Sequence, residues 1–500
     1  MMPSRLLIRA DATIPAGTGH VMRCLALAQE WGRTDGEALF AQAASTPALE
    51  QRVDKENLRR LKVTAAPGSL DDAKQTIEFA RACAAEWVVA DGYHFNAEYQ
   101  HRIKDAGLKL LFVDDHGHAS QYWADYILNQ NISANPKWYS NREPYTQLLL
   151  GTQYTLLRKE FGKWWDWKRE IVPIARKILV TLGGSDPHNI TQKVVAALSS
   201  QQNREIECIV LVGGSNQHIS ELQSQCRNSG PSIRLILDAD NMPELMAWAD
   251  VAISASGTTS WELAFMGLPN LLIIFADNQK LTAEALQKKG VSVFLGFHTA
   301  VTRDRVGKAL AELILDHDKR LAMSEQGRRL VDGRGAKRVA ANLRAPALVL
   351  RRARPDDSRL LWEWANDPEA RRISFSQDPI SWETHLQRFS KDLASPNSFI
   401  YIAENGDGTP IGQIRYDIKD QEASVSVSLA KAARGRGNGV PLIIRGTRRC
   451  FADSRVKAIH AYIKPENEIS LQAFGVAGYS EGAAVQINGQ PAKQFVFPRP

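Results

Sequence analysis

Gly17-Thr18-Gly19-His20-Val21-Met22-Arg23 follows a short apolar run, Leu6-Leu7-Ile8, and opens a stretch from His20 to Trp31 with helical apolar spacing. Glycines let a backbone turn tightly against a ligand, and a helix start offers unpaired N–H groups to an anion. Alone, Gly17-x-Gly19 marks a tight strand-to-helix turn. His20 adds chemistry. In the first helical turn the positive end of the helix dipole disfavours imidazolium and keeps a neutral ring. A general base needs that state. A histidine that caps the helix or packs beneath the loop fits the same pattern, so residue type leaves both roles open.

A second stretch, Ser254-Ala255-Ser256-Gly257-Thr258-Thr259-Ser260-Trp261-Glu262, is rich in small hydroxyl residues. Ser256, Gly257, Thr258 and Thr259 suit a diphosphate, and Glu262 is placed to accept from ribose hydroxyls. Thr259-x-x-Glu262 also spells a capping box, which can fix the turn that receives the ligand. Leu182-Gly183-Gly184-Ser185-Asp186-Pro187 is another glycine-rich strand exit, with Gly184 and Ser185 as candidate ligand contacts. In Ala276-Asp277-Asn278-Gln279 the Asn278 amide can read a base or a sugar.

Two acidic clusters read differently. Asp238-Ala239-Asp240 precedes the helix-start signature Asn241-Met242-Pro243, so loop and cap chemistry is expected there. Asp114-Asp115-His116-Gly117-His118 has metal-type ligands but no partner cluster, so a structural or substrate-facing role is expected. No metal is expected, and helix starts must then stabilise a departing anion.

Near the other end of the chain, Ser424 to Leu429 reads as a strand. Arg434-Gly435-Arg436-Gly437-Asn438-Gly439 follows, and then an apolar helix from about Val440. Strand, R-x-x-G-x-G and helix in that order provide successive N–H groups, a helix dipole and arginine charge for a pyrophosphate. Ile463-Lys464-Pro465-Glu466-Asn467-Glu468-Ile469-Ser470 then leads to Ala477-Gly478-Tyr479.

These loops need strands and helices to hold them. Trp87 to Ala90 and Leu110 to Val113 are strand-like runs, each followed by Asp. The rhythm is βαβ, hence a parallel sheet covered by helices. A tryptophan-rich charged bridge, Lys163 to Glu170, interrupts it. The rhythm restarts with Lys177 to Leu182, Cys208 to Val212, Ile233 to Leu237, Val251 to Ser254 and Leu271 to Phe275. Two Rossmann-like lobes of GT-B type with a central cleft are expected, over 1–162 and 170–342. A further restart near Ala345-Pro346 begins an α+β domain over 346–500. It has a strand at Leu348 to Leu350, a helix at Ser358 to Trp364 and a meander over Ser398 to Ala403, Gly412 to Asp417 and Ser424 to Leu429. Asn405-Gly406-Asp407-Gly408 is its first tight turn, and Ala458 to Ile463 is its next strand.

Length and composition agree with this plan. Five hundred residues exceed one compact core, and 44% hydrophobic with 23% charged residues excludes wholesale disorder. The net charge of +7 is spread over both parts, since 21 basic and 17 acidic residues follow residue 345. With no basic arm, a nucleic-acid partner is not indicated. Five cysteines stand singly, as in a reducing cytosol, and the apolar stretch before Asp11 is too short for a signal-peptide core. The longest apolar run, Leu271 to Ala276, cannot span a bilayer, so a cytoplasmic protein without a membrane partner is expected.

Taken as a set, these motifs resemble a known family. Arg9-Ala10-Asp11-Ala12, Gly17-x-Gly19-His20-x-x-Arg23-Cys24-Leu25-Ala26-Leu27, Asp114-Asp115, Gly183-Gly184-Ser185-Asp186, Ser256 to Glu262 and Asp332-Gly333-x-Gly335-Ala336-x-Arg338 look like the UDP-sugar hydrolase of pseudaminic acid biosynthesis. That family is related to the peptidoglycan glycosyltransferase that adds N-acetylglucosamine. The likeness covers residues 5 to about 342. It implies inverting hydrolysis of UDP-2,4-diacetamido-2,4,6-trideoxy-β-L-altropyranose, with His20 matching the base. It also implies that Gly17, Gly19, Arg23, Gly184, Ser185, Ser256, Gly257, Thr258, Thr259, Glu262 and Asn278 contact the nucleotide sugar.

Residues 348 to about 497 resemble the GNAT acetyltransferases. Trp364-Ala365-Asn366-Asp367-Pro368 and His385 resemble the branch acting on nucleotide-linked amino sugars or ribosomal protein N-termini. The likeness implies acetyl-CoA as co-substrate, held by Leu429, Arg434, Gly435, Arg436, Gly437, Asn438, Gly439 and Asn467. One position departs from the pattern. Where many of these enzymes carry a proton-donating tyrosine, seven residues after Asn467, this chain has Phe474, and Tyr479 is the nearby alternative.

In the pathway that the resemblance implies, N4-acetylation immediately precedes UDP removal. A bifunctional enzyme is therefore expected, acting on a UDP-linked diamino-trideoxy sugar. A glycosyltransferase fused to a protein acetyltransferase and a non-catalytic ligand sensor are the alternatives. Oligomeric state is not legible.

Overall fold

The computed structural model describes residues 4–12, 17–33, 35–184, 186–199, 206–214, 216–229, 232–344 and 348–499. The chain divides into two compact units, Met1–Ala336 and Lys337–Pro500.

The first unit contains two parallel sheets. β1 (Arg5–Ala10), β2 (Glu37–Gln42), β3 (Arg59–Lys62), β4 (Trp87–Asp91), β5 (Lys109–Val113), β6 (Tyr126–Asn129) and β7 (Gln147–Leu150) lie in the order β3-β2-β1-β4-β5-β6-β7. β8 (Lys177–Thr181), β9 (Glu207–Val212), β10 (Ile233–Leu237), β11 (Val251–Ala255), β12 (Asn270–Ile274) and β13 (Val293–Phe297) lie in the order β10-β9-β8-β11-β12-β13. Each order reverses beside its first strand, at β1/β4 and at β8/β11. Ligand crevices form outside the carboxyl ends of strands at such a reversal.

The inner strands are largely apolar: every residue of β4 and β12 is buried, and only Asp91 and Asn270 among them are polar. Helices cover both faces of a parallel sheet, so its strands read as continuous hydrophobic runs. β3 escapes that pattern because it is an edge strand of sequence Arg-Arg-Leu-Lys, and charge blunts an exposed edge. The tryptophan bridge is no free linker. Trp164, Trp165 and Trp167 pack against the core formed by Trp261, Phe265 and Leu272, and Arg328 donates to the Trp165 carbonyl at 2.6 Å.

The second unit is a mixed sheet. β14 (Val349–Arg352), β15 (Ser398–Glu404), β16 (Pro410–Lys419), β17 (Glu422–Leu429), β18 (Ala458–Ile463), β19 (Ser480–Ile487) and β20 (Gln490–Pro498) lie in the order β14-β15-β16-β17-β18-β20-β19. All pairs are antiparallel except β17 with β18. That parallel pairing runs from Glu422/Ala458 to Val425/Ala461 and goes no further. Ser426 to Leu429 keep their ladder with β16 alone. The two strands part there, leaving main-chain groups of the β18 side open at the mouth of the loop that follows β17.

The division between units falls inside the helix Gly335–Arg344, earlier than the Ala345-Pro346 restart, which lies outside the described residues. Arg338 of this helix donates to the carbonyls of Gly475 and Val476, at 3.0 and 2.5 Å, so its later turns go with the second unit. Among the described residues no helix is long and apolar enough to cross a membrane.

Candidate active site

The helix Gly19–Gly32 follows β1, and Asp91 ends β4, the neighbouring strand. His20 and Arg23 share one helix face, three residues apart, and both turn toward that carboxylate. His20 Nδ1 lies 2.6 Å from Asp91 Oδ1. Arg23 donates from Nε to Asp91 Oδ2 at 2.7 Å and from Nη2 to Oδ1 at 2.7 Å. Asp91 is fully buried, and His20 is 8% exposed.

A hydrogen bond this short to a carboxylate puts a proton on Nδ1, so in the neutral ring Nε2 carries the lone pair. Arg23 Nη2 also sits 3.1 Å from Nδ1, but a nitrogen that donates to Asp91 accepts nothing from it. Nε2 has no partner among the described residues. The ring is thus aimed and its tautomer chosen, the arrangement that equips a histidine to take a proton. Burial pushes the Asp91 carboxyl upward, yet the Arg23 guanidinium and the His20 ring outweigh it and hold the group below the usual range.

Behind this pair stands a second carboxylate. Asp115 accepts from Arg23 Nη1 at 2.8 Å, Asn131 Nδ2 at 2.8 Å and the Tyr93 hydroxyl at 2.8 Å. Burial pushes the Asp115 carboxyl upward, but Arg23 dominates and holds it well below the ordinary carboxylate range. Burial together with Asp115 pushes the Tyr93 phenol far up, so it stays protonated. Tyr93 packs edge-on against His20 with ring centres 4.9 Å apart, and its oxygen accepts from Asn278 Nδ2 at 2.8 Å. Asn278, expected near the substrate, therefore reaches from the second sheet to the histidine's neighbour.

The glycine-rich exits converge on the same place. A Cβ on Gly19 would lie 3.4 Å from Thr258 Oγ1, and one on Gly184 would lie 3.8 Å from Thr18. Gly213 backs against Gly184 so closely that a Cβ would sit 2.7 Å from its Cα. Gly17 holds φ +74°, which favours glycine. Gly19 thus meets Thr258, and Gly184 meets Thr18, beside His20, and Ser185 lies outside the described residues. The Ser256 hydroxyl is buried there without a hydrogen-bond partner among the described residues.

Three sequence expectations change in the structure. Arg23 was expected to touch the nucleotide sugar; it is 5% exposed, and its donors are engaged by Asp91 and Asp115. Buried charge must be paired, and here the pairing fixes His20. The capping box does not form: Thr259 is already helical, Thr258 makes no side-chain cap, and Glu262 accepts instead from Arg158 Nη2 at 2.9 Å. Asp91 was not named as a site residue, although its position after an apolar strand was the available signal.

The acidic cluster at Asp238 and Asp240 behaves as loop chemistry. Asp238 Oδ1 accepts from the Gly214 amide at 2.6 Å, and Asp240 pairs with Lys55 at 2.9 Å. Ligand atoms of Asp114, His116 and His118 lie within 4.8 Å of one another. Asp114, however, already accepts from the amides of His116 and Gly117 and from the Tyr122 hydroxyl, which shapes the turn. Asp186 likewise accepts from the amides of Ile190 and Thr191 at a helix start.

The second unit's loop is built differently. Gly435 and Gly437 hold φ +70° and +77°, alternating turns that aim successive amides outward. The helix Gly439–Asp453 starts at Asn438 without a side-chain cap, so its first N–H groups are open. Arg436 is exposed. Arg434 instead pairs with Asp367 and Glu369, each at 2.7 Å, and donates to the Leu429 carbonyl at 3.1 Å. Asn438 is 5% exposed and donates to the Ala433 carbonyl at 2.9 Å, tying the loop down. Asn467, expected at the cofactor, accepts from the Ser470 amide at 3.2 Å and caps the helix Glu468–Ala477. Phe474 is buried against Tyr479, with ring centres 5.0 Å apart. The Tyr479 hydroxyl shares a 2.7 Å hydrogen bond with Thr447, and burial pushes the phenol far up, so it stays protonated. Tyr479 is a core aromatic, not an accessible acid.

Residues 178–339 match the Glycosyltransferase family 28 C-terminal domain, and residues 347–480 match the Acetyltransferase (GNAT) domain. The chain is a GT-B-type region followed by a GNAT acetyltransferase domain. An uncharacterized protein of Methanocaldococcus jannaschii is 23% identical over 427 residues, 82% of this chain and 83% of its own length. The spore coat polysaccharide biosynthesis protein SpsG of Bacillus subtilis is 29% identical over 47% of this chain and 68% of its own. The UDP-2,4-diacetamido-2,4,6-trideoxy-beta-L-altropyranose hydrolase of Campylobacter jejuni is 23% identical over 58% of this chain and 98% of its own. The resemblance read from the motifs holds: a segment similar to that hydrolase is joined to a GNAT domain, and the protein is an enzyme.

Proposed function

We propose that this chain carries two consecutive reactions on a UDP-linked diamino-trideoxy sugar. The GNAT domain transfers acetyl from acetyl-CoA to the 4-amino group. The GT-B region then hydrolyses the diacetamido product, UDP-2,4-diacetamido-2,4,6-trideoxy-β-L-altropyranose, to UDP and free sugar. The observation that carries the hydrolytic half is the 2.6 Å bond between His20 Nδ1 and Asp91.

His20 Nε2 takes a proton from water. The water oxygen bonds to the anomeric carbon while the bond to the β-phosphate oxygen breaks, and UDP leaves as an anion. Attack opposite the leaving group inverts the anomeric centre. Asp91 stabilises the imidazolium formed in this step. The amides at Gly19, Gly184 and Gly257–Thr259 receive the diphosphate charge without a metal, and Asn278 contacts the sugar. Glu262 accepts from the ribose.

In the GNAT domain the amides of Gly435–Gly439 and the Arg436 side chain hold the pyrophosphate of acetyl-CoA, and the parted β17 and β18 admit its acyl arm. An unprotonated amine held against the thioester then forms the amide bond, and CoA leaves as thiol. Both nucleotide co-substrates are cytoplasmic, and so, on this reading, is the protein.

Incubating the diacetamido UDP-sugar without any acceptor tests the hydrolytic half. Equal amounts of UDP and free sugar support it; strict dependence on an acceptor alcohol would establish a glycosyltransferase instead. Thiol release from acetyl-CoA with the UDP-4-amino sugar tests the other half.

A further inference from the structure

Glu262 stands on the helix Thr259–Phe265, one turn past the loop assigned to the diphosphate. One of its oxygens, Oε1, is held by Arg158 Nη2 at 2.9 Å, and Oε2 has no partner among the described residues. The Glu262 side chain is 15% exposed and the Arg158 side chain 9%. Arg158 belongs to no regular element. It precedes the short helical turn Lys159–Trp164, where the chain passes from the first sheet to the second.

Its surroundings hold it firmly. The guanidinium lies 5.5 Å from the centre of the Phe161 ring, and Phe161 meets Phe265 edge-on at 6.0 Å. Arg158 Nε is buried and reaches no acceptor among the described residues. On its far side stands Arg52, which pairs with Glu160 and with Glu56. Burial and the nearby Arg158 charge lower the Arg52 ionisation. A buried guanidinium in that position needs Glu262 as its counter-charge, and its hydrogen bond to Oε1 restricts how the carboxylate can turn.

We infer that Arg158 is a positioning residue for nucleotide selectivity: it orients the Glu262 carboxylate so that the free oxygen accepts a ribose hydroxyl. This deepens the nucleotide-sugar reading and rests on it. Arg158 does not touch the ligand in this account; it acts through Glu262. Freed of it, Glu262 rotates and gives up its reading of the ribose while the diphosphate loops continue to bind.

The test is a comparison of UDP with 2′-deoxy-UDP and 3′-deoxy-UDP by isothermal titration on the full chain. Losing a hydrogen bond to a charged group weakens binding about tenfold or more, so the wild type is expected to reject at least one deoxy analogue by that factor. In Arg158→Met, with its melting transition checked, that ratio falls toward one, as it does in Glu262→Gln. The double variant loses no further selectivity, because the two residues act as one unit. An Arg158→Met protein that keeps the wild-type ratio overturns the inference and leaves the nucleotide site standing. A wild type that binds UDP and both analogues equally also overturns it, since Glu262 then reads no ribose. A wild type that binds no UDP overturns the underlying reading itself. Should Arg158→Met fail to fold, Arg158→Gln serves: a shorter, neutral side chain loses the charged hydrogen bond to Oε1, so the ratio must still fall, and its retention overturns the inference.

Discussion

The two candidate sites handle charge in opposite ways. Around His20, the buried Asp91 and Arg23 and the partly buried Asp115 pair with one another, and a single ring nitrogen is left to work. Around Gly435 and Gly437, the working surface is main chain, and the more buried of the two arginines, Arg434, is tied away by Asp367 and Glu369. A proton-transfer site needs a side chain of fixed tautomer, so it spends buried charge on positioning. A pyrophosphate site needs a row of donors, which glycines and a helix start supply without side chains. Substitutions should therefore act on different quantities in the two units.

The largest effect is expected at the first site. Asp91→Asn removes the carboxylate that selects the tautomer, and turnover should fall by roughly 10³–10⁴. His20→Ala should fall comparably, while UDP binding by titration persists in both. Turnover within tenfold of wild type in Asp91→Asn would refute the positioning role. At the second site, Gly437→Val puts a branched side chain at φ +77°, which costs about 1–2 kcal/mol of backbone strain. The KM for acetyl-CoA should rise while UDP-sugar hydrolysis in the same protein stays normal.

Acid stability gives a further test of the charge cluster at the first site. Asp91 and Asp115 have ionisations held below those of an unfolded aspartate. A depressed group contributes stability that is complete above its unfolded value of about 3.9 and is lost as pH falls through the folded one. The first unit should therefore lose stability on acidification, with a shallower loss in Asp115→Asn than in wild type. Equal slopes in urea titrations at falling pH would contradict this. The smallest effect is expected from Phe474→Tyr. Because position 474 is in the core, the restored hydroxyl gains no access to a thiolate, and acetyl transfer should change by less than about threefold while burying that hydroxyl costs about 1–3 kcal/mol. A large gain in rate would show that the ring reaches the acyl group.

Much of this was legible in the chain itself. Buried parallel strands such as Cys208 to Val212 and Val251 to Ser254 announce themselves as apolar runs, and both glycine loops stood out by composition. β3 did not, because an edge strand of arginines and lysine has no apolar run. The hairpin of β19 and β20 was missed although Asn488-Gly489, with φ +51° and +75°, carries the signature of its turn. Partnerships were the least legible. Nothing in the spacing of His20 and Asp91, or of Arg158 and Glu262, reveals that strand order brings them together. The arginine at position 434 looked like a ligand contact because its type fits a pyrophosphate, and only the fold shows which carboxylates hold it.

The central claim is that one chain joins acetyl transfer to loss of UDP. Mass spectrometry of the products formed from UDP-4-amino sugar and acetyl-CoA by the intact protein tests it most directly. The account predicts CoA, UDP and a free sugar bearing two acetamido groups, with the UDP-linked diacetamido sugar accumulating in the His20→Ala protein. Recovery of the UDP-amino sugar unacetylated, or of an acetylated UDP-sugar that the wild type never cleaves, would contradict it.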